Sequence, residues 1–453
     1  MANRIRYWTR LFSTFLNKFK GLLLISSVIG IAIFLIIPRL SFFWPYISRG
    51  EAIGIVGKYT TEDIPFDIQK EMSMGLTTLD SENNVKPGLA DSWQAENDGK
   101  VWIFKLGDKK WQDGTKVVAK DINYKFSDAK IEIVDNQTIK FVLTDYFSPL
   151  PSVVIRPVFK RGFLGAGDWK VVKLSLAKGT FVESLRLQNL QTKKIKTYKF
   201  YLTEDDARTA FKLGEVDKLK DLVDPRELSN WKGITLSADS RLDQYVGVFF
   251  NYQDKLLGDK RIRQALAYAI NKDNFLEERA VSTIASNSWA FNPQSKPYEH
   301  NPKRAKELIA EFRLERKDEE LTVNLATTPS LLPVADKIKA DWEAVGVKTR
   351  IQVSNTPSLE FQSLLAIQPI SPDPDQYGLW HSTQTASNIT HYGNSNESKR
   401  IDKLLEDGRR TLNLDERKAI YYDFQRFIME DSPVAILYHP ITYSVERNRL
   451  LGK

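Results

Sequence analysis

Residues 321–353 restrict the possible folds more than any other stretch. Leu321, Val323 and Leu325 alternate as a strand does, and Val334, Ile338, Asp341, Trp342 and Val345 then recur at helical spacing up to Gly346. Val347, Thr349, Ile351 and Val353 alternate again. Strand, helix and strand within 33 residues require a right-handed crossover between parallel strands, because so short a helix can only return the chain to the same end of one sheet. That places the chain in the α/β class.

Other segments extend this pattern. Ile262, Ala265, Leu266, Ala269 and Ile270 form one helical stripe, with Asp259 placed as an N-cap and Asn271 past the last apolar position. Asn301-Pro302 opens a helix carrying Ala305, Leu308, Ile309 and Phe312 on one face. A last helix carries Ile420, Phe424, Phe427 and Ile428; Pro433 stops it, and Val434–Tyr438 reads as a strand. Residues 85–145 are richer in strands and turns. There Val101, Ile103 and Lys105 alternate with Trp102, Phe104 and Leu106, so both faces of that strand are expected to be covered. Asp135-Asn136 predicts a turn into a strand at 137–143. No repeat, low-complexity tract or Gly/Ser/Pro linker divides the chain.

Gly21–Ile37 is an uncharged run of 17 residues, about 25 Å long as a helix and near the thin limit for a bilayer core. Phe42, Phe43, Trp44 and Tyr46 follow it like an interfacial belt. The expectation is an uncleaved, single-pass anchor: residues 1–50 would form a cytoplasmic basic tip plus the span, with the body extracytoplasmic at the cell membrane. A cleaved signal peptide is the competing reading, although no small-x-small site follows. The charge agrees with an anchor. Residues 1–50 hold seven basic side chains and no acidic one, leaving 58 basic against 57 acidic residues in the body. The net charge of +8 therefore does not indicate a nucleic-acid partner.

No catalytic site emerges. The sequence has no cysteine and four histidines, and lacks G-x-S-x-G, H-E-x-x-H and P-loop motifs. The glycines of Gly162-Phe-Leu-Gly-Ala-Gly167 predict a turn. No catalytic residue, cofactor or metal site is expected, and the chain is not expected to be an enzyme.

Several ordered motifs carry a family resemblance. They are Pro87-Gly-Leu-Ala-Asp-Ser-Trp93, Asp98-Gly-Lys-Val-Trp-Ile-Phe-Lys-Leu106 and Trp111-Gln-Asp-Gly-Thr-Lys-Val-Val-Ala-Lys-Asp-Ile122. Leu213-Gly-Glu-Val-Asp217, Phe250-Asn251, Asp259–Asn271, Glu416-Arg417 and Ser432-Pro433 follow in order. Together they resemble family 5 extracytoplasmic solute-binding proteins, the oligopeptide-, dipeptide- and nickel-type receptors of ABC importers. The resemblance implies an α/β two-lobed periplasmic-binding-protein-like clamp, type II, with a reduced extra subdomain. Residues 51–245 with 433–453 would form the first lobe, including a trimmed strand-rich subdomain near 76–158, and residues 246–432 the second.

Its implied partners are a peptide or other small solute and ABC permease subunits; a sensor that kept the clamp without transport is the alternative. The implied ligand-binding residues are Asp373, Asp375, Trp380, His381, Asn388 and Tyr392, with Tyr245 and Trp169. Acidic, amide and aromatic groups together suit a ligand with a positive or hydrogen-bonding end. Three positions depart from the family's pattern. The chain is short between Asp121 and Asp135, Gly165-Ala-Gly-Asp-Trp169 replaces G-T-G-P-Y, and Ile370 stands where D-x-x-D-P has its first aspartate.

Overall fold

The computed structural model describes residues 50–448 other than 276, 296, 318, 319, 357, 359, 394 and 395, together with 14, 18–21, 25, 26, 29 and 30. Most of the expected anchor and its aromatic flank lie outside the described residues. Among those described, no helix is long and apolar enough to cross a membrane.

The strand–helix–strand unit forms as its spacing requires. Thr322–Thr327 and Lys348–Val353 pair in parallel, from Thr322 opposite Lys348 to Thr327 opposite Val353. Between them the helix Leu332–Ala344 buries Ala335, Ile338 and Trp342. Gly346 has φ +91°, a conformation that glycine adopts without a side-chain clash. These strands belong to a five-stranded sheet ordered 348–353, 322–327, 363–369, 244–250, 434–438. The helix Lys260–Ala269 is capped by Asp259, whose side chain accepts the Arg261 N–H. Asn301 caps Pro302–Glu315 in the same way through the Arg304 N–H. The Trp342 indole N–H donates to the Leu266 carbonyl at 3.1 Å, tying two helices together inside one continuous core that runs from Tyr245 to Tyr438.

The first lobe is built on a seven-stranded sheet ordered 234–240, 441–447, 218–222, 51–56, 195–201, 181–189, 169–177. Its apolar interior is split. One cluster gathers Ile53, Ile68, Leu185 and Tyr198, and another gathers Phe211, Leu219, Leu222 and Val445. A third cluster, with Trp102, Phe104, Trp111 and Phe141, fills a separate four-stranded sheet ordered 90–96, 101–106, 138–143, 129–133. This strand-rich unit also carries the hairpin of Thr77–Leu79 and Val85–Pro87.

Two expectations change. Val434–Tyr438 pairs with 246–249 in the second lobe's sheet, so the chain returns to the first lobe only between Tyr438 and Ile441, not at Pro433. Pro433 ends a helix, and the strand it releases completes the sheet beside it. The strand Val101–Leu106 is fully covered on its Trp102, Phe104 and Leu106 face only; on the other face burial fades from Val101 to an exposed Lys105.

Gly165 and Gly167 have a further role besides turning the chain. Each backs onto Met72, and a Cβ at Gly165 would sit 2.1 Å from the Met72 carbonyl oxygen. The Gln112 side-chain nitrogen lies within 3.0 Å of the carbonyls of Met72, Gly167 and Trp169, joining the strand-rich unit to the first lobe.

Candidate functional site

A cleft of about 1110 Å³ opens between the first lobe with its strand-rich unit and the 371–375 loop of the second lobe. This loop leaves the strand Ser363–Pro369. Pro372 and Pro374 remove backbone donors and prevent the strand from continuing. Two side-chain turns then shape residues 373–377. Asp373 Oδ1 accepts the Asp375 N–H at 2.9 Å, and Asp375 Oδ1 accepts the Tyr377 N–H at 3.1 Å.

Both carboxylates line the cleft, but neither is free to neutralise a cationic ligand end. Arg417, in the first turns of the helix Leu414–Asp431, grips Asp373 through two bonds of 2.8 and 2.6 Å. Burial works against the Arg417 charge, but the adjacent Asp373 carboxylate outweighs it and holds the guanidinium pKa above its ordinary value. Arg409, in the last turn of Asn396–Arg410, gives Asp375 Oδ2 two bonds of 3.0 and 2.8 Å. Its guanidinium lies 3.9 Å from the Tyr377 ring centre and 5.2 Å from that of Phe147. Arg417 makes the bidentate pairing in which arginine is strongest, whereas Arg409 brings Nε and one terminal nitrogen to a single oxygen.

The opposite wall is aromatic. Phe126, Phe147, Phe159 and Phe163 line it, with Phe159 and Phe163 in edge contact at 6.0 Å. Tyr124 stacks on Phe126 at 5.8 Å, and its hydroxyl sits 2.7 Å from the Val154 carbonyl and 3.2 Å from the Leu76 N–H. Burial pushes the Tyr124 hydroxyl well above the usual tyrosine range, so it stays protonated. Glu62, Lys125 and Arg156 add charge at the cleft. Behind it the strand-rich unit bonds directly to the second lobe: the Ser148 N–H donates to the Arg409 carbonyl at 2.8 Å and its hydroxyl to the Gly408 carbonyl at 2.9 Å.

The other expected residues lie elsewhere. Trp380 is fully buried, stacked on Phe249 at 6.4 Å, with its indole N–H on Gln376. His381 is buried beside Thr383 and Glu406, its ring 3.9 Å from that of Tyr377. The Asn388 amide donates to the Tyr392 carbonyl at 2.6 Å, and the Tyr392 hydroxyl donates to the buried Asp431 carboxylate at 2.7 Å. These four support the second lobe's interior beneath the loop and do not line the cleft. Trp169 is half-buried at the start of an edge strand, under the Lys196 ammonium, which pairs with Glu71 at 2.9 Å. Tyr245 is buried, and lines a smaller cavity of about 160 Å³ that shares Ser371 and Asp375 with the cleft.

The aromatic wall and the two arginines were missed by the sequence reading. The wall's local signal misleads: Tyr124 and Phe126 are two apart as in a strand and Phe159 and Phe163 four apart as in a helix, yet none of these four lies in either element. The arginines carry no local signal, since their partners lie 34 and 44 residues away. Among the described residues, no three acidic or histidine side chains group to hold a metal.

The family model for bacterial extracellular solute-binding proteins, family 5 Middle, matches residues 84–388. The oligopeptide-binding protein AppA of Bacillus subtilis is 22% identical, covering 89% of this chain and 87% of that protein. The dipeptide-binding protein of Escherichia coli is 24% identical, covering 90% and 91%. Among solved structures, NikZ from Campylobacter jejuni in complex with Ni(L-His) superposes with a TM-score of 0.70 at 21% identity, covering 88% of this chain and 94% of that one. The substrate-binding protein CtaP of Listeria monocytogenes gives 0.72 at 18% identity, over 88% and 94%.

Proposed function

The chain belongs to the bacterial extracellular solute-binding proteins of family 5, and on that premise we propose that it captures a peptide or a chelate of similar size between its lobes and passes it to an ABC permease. The observation that carries this reading is the cleft itself. It has room for a small solute, an aromatic wall on one side and a charged loop on the other, which is the composition of a ligand site rather than a packing defect. The Gly21–Ile37 run would keep the body at the membrane, close to its permease.

The ligand's charged end follows from the ion pairs. Asp373 and Asp375 are neutralised within the chain, and Arg156 and Lys125 outnumber Glu62 at the cleft. A carboxylate end is therefore recognised better than an ammonium. Ile370, nearly buried, cannot hold an ammonium either. The test is native mass spectrometry of the full-length chain in detergent, followed by calorimetry with free and C-terminally amidated tripeptides. A co-purifying small molecule and weaker binding of the amidated forms are expected. A chain that carries nothing, and binds no peptide or nickel–histidine complex, overturns the reading.

A further inference from the structure

The seven-stranded sheet of the first lobe has two dissimilar ends. Register sets Glu51 beside Lys196, Lys196 beside Leu187 and Asn189 beside Trp169. The start of the strand 51–56, the turn 190–194 and the start of the strand 169–177 therefore share one end. The connections to the second lobe, Ser240 to Gln244 and Tyr438 to Ile441, leave from the other end. Thr61 and Glu62 of the cleft also follow the strand 51–56 at that far end.

The near end is basic. Lys170, Lys173, Arg186, Lys193 and Lys194 are exposed there, and none of them pairs with a carboxylate among the described residues. The fold absorbs only their neighbours: Lys196 pairs with Glu71 at 2.9 Å and Lys199 with Glu215 at 3.7 Å. In this half of the sheet Glu51 and Asp168 are the carboxylates that stand against the five cations. Lysines on an edge strand deter edge-to-edge pairing, but those of the turn have no ladder to guard. The turn is held in one shape. The Asn189 side chain accepts the N–H groups of Gln191 and Thr192 at 3.1 and 2.8 Å, and the Lys193 ammonium donates to the Leu190 carbonyl at 2.6 Å. Leu190 is exposed in it, and Leu213 and Trp231 are exposed in two other connections at the same end. Basic side chains beside exposed leucine and tryptophan have the composition of a surface that lies on lipid headgroups.

The chain's path brings lipid to this end. Glu51 begins the first strand here, and residues 38–49 separate Gly50 from the apolar run Gly21–Ile37. Twelve residues reach about 40 Å at most, even fully extended. Resting on the reading of that run as an anchor, we propose that the basic end of the first lobe lies on an anionic bilayer surface, its lysines meeting lipid phosphates. The cleft, at the far end of the sheet, then stays clear of the lipid and open to solute.

The chain has no cysteine, so Gln191→Cys in the basic turn and Thr180→Cys in the turn at the far end each accept a single thiol-reactive fluorophore. The full-length protein is reconstituted, body outside, into vesicles of phosphatidylcholine alone or mixed equally with phosphatidylglycerol, each with a headgroup energy acceptor. The label at 191 is expected to transfer about twofold more energy in the anionic vesicles, and the label at 180 to transfer equally in both. In 1 M salt, where the screening length is about 3 Å, the difference should vanish. Combining Lys170→Gln, Lys193→Gln and Lys194→Gln should abolish it too. Flotation with the neutral vesicles reports the anchor by itself. A chain that does not float with them overturns the anchor reading and the proposal with it. A chain that floats but whose label at 191 ignores lipid charge, or whose two labels respond alike, overturns the basic surface and leaves the anchor standing.

Discussion

The two lobes solve the same packing problem differently. The second lobe gathers its strands and helices around one core, so Tyr245, Leu266, Trp342, Tyr392 and Phe424 share a single interior. The first lobe divides its apolar side chains among three smaller clusters, one of them inside the strand-rich unit. The division has a functional side. The undivided lobe supplies the rigid carboxylate–arginine loop, and the divided one supplies the aromatic wall. The wall itself straddles two clusters, Phe126 and Phe147 packing on the strand-rich unit and Phe159 and Phe163 on the cluster of the seven-stranded sheet, whereas the loop is fixed by two helices.

The largest effect should come from the contrast between cores. Leu266→Ala in the second lobe should cost about 4 kcal/mol, and Leu219→Ala in the smaller first-lobe cluster about 2 kcal/mol, both side chains being fully buried. The small cluster can collapse around its cavity more readily. Equal losses would mean that cluster size does not govern relaxation here.

Unpairing the loop comes next. Arg417→Ala leaves the Asp373 side chain, 13% exposed, without its cation and is expected to cost about 3 kcal/mol in denaturant unfolding. Adding Asp373→Ala should recover much of that; a double variant no better than the single would show that the pair is not what holds the loop.

A pH test probes the second lobe alone. Lys272 is buried, its ammonium bonding the carbonyls of Ala267 and Tyr298, and burial lowers its pKa from 10.5 to about 7. The folded state therefore binds fewer protons than the unfolded one between pH 7 and 10.5. Stability should rise with pH across that window, by at most about 1.4 kcal/mol per unit, and the gain is absent below about pH 7. Lys272→Met should flatten the slope in a pH series of thermal melts; an unchanged slope would assign it to other groups.

The smallest effect concerns the joint of the divided lobe. Gln112→Ala removes a side chain that bridges the strand-rich unit to Met72, Gly167 and Trp169, and should cost about 1–2 kcal/mol. It should also raise hydrogen exchange in that unit before the rest of the lobe. Uniform exchange would show that the unit does not move separately.

Much of this architecture is legible without coordinates. Asp259 caps the helix it was expected to cap, Asn301-Pro302 opens the next, and residues 321–353 make their crossover. Asp373 and Asp375 do line the cleft. The residues just beyond them were harder to place. Trp380, His381, Asn388 and Tyr392 have the chemistry of a binding site, but that chemistry serves equally well inside a lobe. Trp380 stacks on Phe249, and Tyr392 reaches an aspartate 39 positions away.

What the sequence determined is what neighbours within a turn or a strand decide. Helical stripes, caps, turns and the αβ order depend on side chains a few positions apart, whose spacing is written directly in the chain. The tertiary structure decided which polar groups are already taken. Whether Asp373 meets a ligand or Arg417 depends on a contact across 44 residues, and Ser152 of the other lobe lies 3.2 Å from the same carboxylate across 221. Such pairings follow from how sheets and helices are brought together. Only their assembly shows that the loop's charges are matched and that Lys193 and Lys194 meet no carboxylate among the described residues.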